Sequence, residues 1–146
     1  MAKKNTTESS MYESLASVIL PDGILELFEV TKVEDEHTGI IEETGLERRI
    51  IHIELRERDL RDKVWHDMKP NGFTEPKLIN DFPIRDRKVV LHIIRRRWID
   101  SEGHNVVLPH ESLTAPDTRY SKEFADVLKK IFGYLPDTGP LSGAIL

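Results

Sequence analysis

The sequence predicts an α+β domain: an antiparallel sheet of four to five strands with a long hairpin, an N-terminal helical pair and a C-terminal helix packed on the sheet. Apolar residues recur at helical spacing near both ends of the chain, and they alternate with polar residues in between. We expect a disordered lead-in over residues 1–10, a single α+β domain over residues 11–134 and a flexible tail over residues 135–146.

The two helical regions carry start and stop signals. Ser10 and Glu13 form a capping pattern ahead of an apolar stripe, and Pro21 ends that helix before a short apolar turn over residues 24–28. Thr118 or Ser121 is the candidate N-cap and Gly133 the C-cap for the last helix. Its apolar side chains fall on one face, at Phe124, Val127, Leu128, Ile131 and Phe132.

The middle of the chain predicts strands in the order of an antiparallel meander. Residues 49–56 alternate clearly between apolar and polar side chains, and residues 30–37 and 73–84 do so less regularly. The segment Arg85–Asp86–Arg87 is short enough for a hairpin turn, although it lacks the glycine that such turns favour. A longer strand over residues 88–99 follows, and a turn over residues 100–105 leads into residues 106–108.

The strand over residues 88–99 carries the densest positive charge. From Ile84 to Arg97 the chain has six basic residues and one acidic residue, a local charge of +5 in a chain of net charge −5. Both faces of this strand are apolar in its first half and cationic in its second, which predicts a packed end and an end that projects beyond the core. Either the projecting end is a solvated strand end balanced by acidic residues elsewhere, or it binds a polyanion.

The composition sets limits on the function. No cysteine is present, and the six histidines lack the spacing of a zinc site, so we predict neither a metal nor another cofactor. The carboxylates lie in flexible acidic runs, and no phosphate loop or nucleophile motif occurs, so we predict no enzyme. The longest apolar runs are too short to cross a membrane, and the N-terminal residues do not form a signal peptide, so we expect a cytoplasmic protein.

Guanidinium groups suit phosphate oxygens, and a neighbouring tryptophan can pack on a sugar or a base edge. The candidate DNA-binding residues are Arg85, Arg87, Lys88, Arg95, Arg96, Arg97 and Trp98.

Two segments of the chain, residues 14–28 and residues 81–100, carry a family resemblance. The motifs Leu20-Pro21-Asp22-Gly23 and Asp81-Phe82-Pro83-Ile84-Arg85, the latter continuing to Arg95-Arg96-Arg97-Trp98-Ile99-Asp100, resemble the N-terminal region of bacterial insertion-sequence transposases. The similarity is to a branch in which this region is encoded apart from the DDE catalytic part. More distant relatives place such a hairpin in a cysteine-rich zinc ribbon, and this chain lacks those cysteines.

The resemblance implies a non-catalytic module that recognises terminal inverted repeats or assembles with the separately encoded catalytic subunit of the transposase. It supplies no catalytic carboxylates to this chain. The alternative is a protein-interaction module that docks on the catalytic partner without touching DNA, its arginines paired with carboxylates. A third hypothesis is a small enzyme or ligand carrier with a pocket between sheet and helix.

Overall fold

Three helices and seven strands make up the part of the chain that the computed structural model describes, which is residues 2–61, 67–108 and 119–133, with side chains from Ser10 onward. The helices are α1 (Ala2–Ile19), α2 (Ile24–Leu27) and α3 (Lys122–Phe132). The strands are β1 (Phe28–Ile41), β2 (Glu47–Glu57), β3 (Lys69–Phe73), β4 (Lys77–Ile84), β5 (Arg87–Ile94), β6 (Arg96–Ile99) and β7 (Asn105–Val106). The α+β class predicted from the sequence is confirmed.

The first sheet has four strands in the order β1-β2-β5-β4. Its outer pairs are antiparallel, but β2 and β5 are parallel, so the sheet is mixed rather than the antiparallel meander that we predicted. Apolar alternation does not fix the direction of a neighbouring strand. The burial of β5 is typical of a parallel strand covered on both faces, since Val89, Val90 and Leu91 are all buried.

The second sheet explains why the long cationic strand does not project. The chain breaks the strand at Arg95: β5 ends at Ile94 and β6 begins at Arg96. Strand β6 then pairs with β3 on one side and β7 on the other. The predicted turn at residues 70–72 falls within β3, whose pairing with β6 shifts register between Pro70 and Phe73.

The main core lies between the first sheet and the N-terminal helices. Leu20 and Ile24 pack on the sheet face formed by alternate residues of β2, β4 and β5, among them Leu55, Ile79 and Leu91. Each large apolar side chain buried in this way contributes about 2 kcal/mol. Helix α1 begins at Ala2, so residues 2–10, which the sequence assigned to a disordered lead-in, form its first turns.

Helix α3 is attached to the outer strand β4. The backbone amide of Ser121 donates to the carbonyl of Asn80, and the Ser121 hydroxyl donates to the buried Asp81 carboxylate at 2.7 Å. Phe124 and Tyr120 pack beside this junction. Gly133 is confirmed as the C-cap, in the left-handed conformation, and Ser121 occupies the N-cap position, but its side chain makes no capping hydrogen bond because its hydroxyl donates to Asp81. The predicted loop over residues 109–117 and the tail over residues 135–146 lie outside the described residues.

Candidate nucleic-acid interface

The seven candidate residues lie at two separate places in the fold. Arg85, Arg87 and Lys88 surround the β4–β5 turn, whereas the run from Arg95 to Trp98 follows the other end of β5. Eight residues of extended chain separate Arg87 from Arg95, a span of about 26 Å at ~3.3 Å per residue. The structure therefore does not bring the predicted residues together as one site.

The hairpin end offers little positive surface. Arg87 lies 3.7 Å from the Asp86 carboxylate and 4.0 Å from the Asp35 carboxylate. Lys88 is buried, and burial together with the nearby Arg48 guanidinium lowers its pKa to about 8. Arg85 is exposed, but it borders a groove in which four cationic side chains meet four carboxylates: Arg48, Arg49, Arg85 and Lys88 with Glu42, Glu43, Glu47 and Asp86.

Arg95 is bound to the protein itself. Its Nε and Nη2 atoms donate to Oε2 of Glu57 at 3.1 Å and 2.9 Å, and Nη2 also donates to the carbonyl of Leu108. Glu57 is 1% exposed, and its other oxygen accepts the backbone amide of Arg96 at 2.9 Å. This carboxylate ends β2 and holds the break between β5 and β6, so the role of Arg95 is structural.

Arg96 contributes to a cluster that the sequence did not predict. Its Nε donates to the backbone carbonyl of Glu57 at 2.8 Å, and its guanidinium carbon lies 5.2 Å from the centre of the Phe73 ring. The guanidinium of Arg56 lies 4.8 Å from the same ring. Phe73 remains 37% exposed between them. Two guanidinium groups and a solvent-accessible aromatic ring thus share one surface, which we call the Arg56–Phe73–Arg96 cluster.

Arg97 and Trp98 point in opposite directions, as neighbours in a strand do. Arg97 is exposed, and no carboxylate of the described residues forms an ion pair with it. Trp98 is 1% exposed and packs with Met68 and Leu108, while Arg61 lies over its ring at 4.5 Å. Trp98 therefore anchors the strand, as the sequence suggested, but its buried ring cannot stack on a base or a sugar.

The strands of the second sheet differ in charge from the outer edge of the first sheet, although the Asp59 carboxylate lies within electrostatic range of Arg96. The strands β3, β6 and β7 contain Lys69, Arg96 and Arg97 and no carboxylate. Strand β1, at the outer edge of the other sheet, carries four: Glu29, Glu34, Asp35 and Glu36.

The sequence missed Arg56 and Phe73 because each looked ordinary by itself. Arg56 occupies a polar position of the alternating β2 pattern, and Phe73 follows a predicted turn. Their approach depends on the parallel register that places Arg56 beside Ile94, two residues before Arg96. No local pattern encodes that long-range pairing.

A histidine pocket on the first sheet is the clearest alternative site. It encloses about 320 Å³ and is lined by Lys32, Glu34, His52, Glu54, Pro76 and His92. Nδ1 of His52 lies 2.8 Å from Nε2 of His92, and burial followed by the charge of His52 lowers the pKa of His92. Within the described ranges, no group of three or more histidine, cysteine or acidic side chains is placed to bind a metal ion.

Comparison of the chain with protein-family models, with curated proteins and with solved structures gives no match. In the described part of the chain, no helix is both long and apolar enough to span a membrane.

Proposed function

We propose that the chain is a non-catalytic accessory module of an insertion-sequence transposase, which binds transposon-end DNA and acts with a separately encoded DDE catalytic subunit in the cytoplasm. The observation that carries the proposal is the Arg56–Phe73–Arg96 cluster, with Arg97 exposed on the opposite face of β6. The family resemblance of residues 81–100 supports the same assignment, since that segment supplies Arg96 and Arg97.

The chemistry of the cluster suits a phosphate backbone. Guanidinium groups bind phosphate oxygens through paired hydrogen bonds, and the aromatic ring holds Arg56 and Arg96 in place before any ligand arrives. Few cations are involved and the net charge is −5, so we expect weak affinity that depends strongly on salt. Repulsion between DNA and the acidic strand β1 would orient the molecule so that the sheet of β3, β6 and β7 approaches DNA first.

DNA binding is tested by fluorescence anisotropy with a labelled duplex of the terminal inverted repeat. We expect binding that fades between ~50 and ~200 mM salt. Arg97→Ala should weaken binding and reduce the salt slope by about one, because it removes one phosphate contact without disturbing the fold. Arg96→Ala should weaken binding at least as much, since Arg96 also orders Phe73.

The matched control is Arg85→Ala, which removes an exposed arginine from the distant hairpin turn. It should leave DNA binding unchanged. Equal losses of DNA affinity for Arg85→Ala and Arg97→Ala would mean that binding depends on the total charge of the protein and not on this cluster. Wild-type protein that does not bind the duplex at the lowest salt concentration would refute the proposal.

One observation favours the second candidate, a module that docks on the catalytic subunit without DNA contact. Arg87 and Arg95 pair with carboxylates of this chain, and this supports a hypothesis in which its other arginines pair with carboxylates of a protein partner. Purification of this chain together with the catalytic subunit, with neither protein bound to the inverted repeat, would favour docking over DNA binding.

A further inference from the structure

Strand β1 is a long edge strand of the first sheet. It has 14 residues and pairs with β2 on one side, and no strand in the described part of the chain pairs with its other side. Val33, in its middle, is 63% exposed although it lies opposite Ile53 of the core. An open edge of this length presents unpaired backbone groups that another strand can bind.

Helix α1 leaves most of its apolar side chains exposed on the same side of the sheet. Ala16 packs against the main core, yet the exposed face carries five large apolar residues: Met11, Tyr12, Leu15, Val18 and Ile19. Tyr12 and Val33 line one groove of about 560 Å³ between α1 and β1. The open helix face and the open strand edge therefore form one continuous surface.

The charges of β1 complement those of a second β1 in one register. When two copies pair antiparallel about Val33, Lys32 of each copy lies opposite Glu34 of the other. Within one copy these two side chains form an exposed ion pair at 3.6 Å, so each of them can pair instead with its counterpart in the other copy. Opposite charges facing each other across strands are favourable, and like charges are unfavourable.

The neighbouring symmetric registers each place like charges opposite one another, although the Glu34 register also brings Lys32 opposite Glu36. Pairing about Lys32 places that lysine opposite itself, and pairing about Glu34 or Asp35 places a carboxylate opposite itself. The charges of β1 thus select one symmetric arrangement.

We propose that two copies of this chain associate through β1 in the Val33 register and form a continuous eight-stranded sheet. The two-fold axis of such a pair is perpendicular to the sheet, so both α1 helices lie on the same sheet face and flank the axis. The exposed apolar side chains of the two helices, Tyr12 among them, then pack against each other and cover Val33 of both copies. The interface is isologous, as in most homodimers.

The test is the oligomeric state of the full chain, measured by light scattering after gel filtration over a concentration series. The wild type should dimerise. Lys32→Glu alone and Glu34→Lys alone should each weaken the dimer at least about 10-fold, because each places like charges opposite one another twice. The double variant with both changes should dimerise as the wild type does, because each glutamate again lies opposite a lysine of the other copy.

A mixture of the two single variants should form a heterodimer, since one copy then carries only carboxylates at these positions and the other only lysines. Lys77→Glu is the matched control, an exposed lysine on β4 at the opposite edge of the sheet, and it should leave dimerisation unchanged. Tyr12→Asp should weaken the dimer without altering the charge pattern of β1.

A wild type that stays monomeric at every concentration would overturn the proposal, and the edge would then be covered by another part of this chain or by a different protein. Dimerisation that survives both single charge reversals would also overturn it, because the copies would then meet elsewhere.

Discussion

At the carboxyl end of β2, the buried Glu57 carboxylate accepts hydrogen bonds from the Arg95 side chain and from the backbone amide of Arg96. Arg97, two residues after Arg95, is exposed and forms no ion pair with a carboxylate of the described residues. At the scale of single residues, position in the fold therefore decides function. Arg95 supports the structure, while Arg96 is partly exposed, Arg97 is exposed, and both belong to the proposed DNA-binding surface.

We predict that Arg95→Ala lowers the free energy of unfolding by about 3 kcal/mol, because it leaves a charged carboxylate buried without its cationic partner. Urea denaturation followed by circular dichroism measures this change. Arg97→Ala is the control and should shift the free energy by less than about 0.5 kcal/mol. Equal effects of the two variants would contradict the structural role of Arg95.

Lys88 gives the protein a pH dependence in the alkaline range. Its folded pKa of about 8 lies below the ~10.4 of an unfolded chain, so between these values the unfolded state binds more protons. The free energy of unfolding should therefore rise with pH between about 8 and 10 as Lys88 loses its proton in the folded protein. Below pH 8 the amine is charged, and the cost of burying that charge is fully present. The rise should be absent from Lys88→Met when urea denaturation is measured across this range.

At the scale of elements, local sequence patterns predicted several features. The C-cap of α3, the hairpin turn and the β2 alternation all depend on residues close in sequence, and the structure confirms them. The patterns did not show that β5 and β6 are separate strands, because alternation continues through Arg95. That break requires Glu57, which is 38 residues away in the chain.

The β4–β5 turn also stores local strain. Arg85 has a φ of 58°, a left-handed conformation that costs a side chain roughly 1 kcal/mol. We predict that Arg85→Gly raises the free energy of unfolding by about 0.5–1 kcal/mol, since glycine adopts this conformation readily. Thermal unfolding of Arg85→Gly, compared with Arg85→Ala, measures the effect. A glycine variant less stable than the alanine variant would show that the Arg85 backbone is unstrained.

At the scale of the whole molecule, the sequence showed that charge is segregated but not where the charges meet. The parallel pairing of β2 with β5 joins residues about 40 positions apart, and it places Arg56 near Arg96. Such pairing depends on the complete set of core contacts. For this reason the class and the cationic segment were predictable, whereas the Arg56–Phe73–Arg96 cluster and the exposed α1–β1 surface were not.

The Glu57 carboxylate has a consequence for how the two sheets come apart. Detachment of β6 while the first sheet stayed folded would break the hydrogen bonds of this carboxylate to the Arg95 side chain and to the Arg96 amide, at a cost in free energy. That penalty suppresses partial opening of the smaller sheet. The Glu57 carboxylate thus couples the two sheets, and a ligand bound only to the folded outer strands would stabilise the core as well.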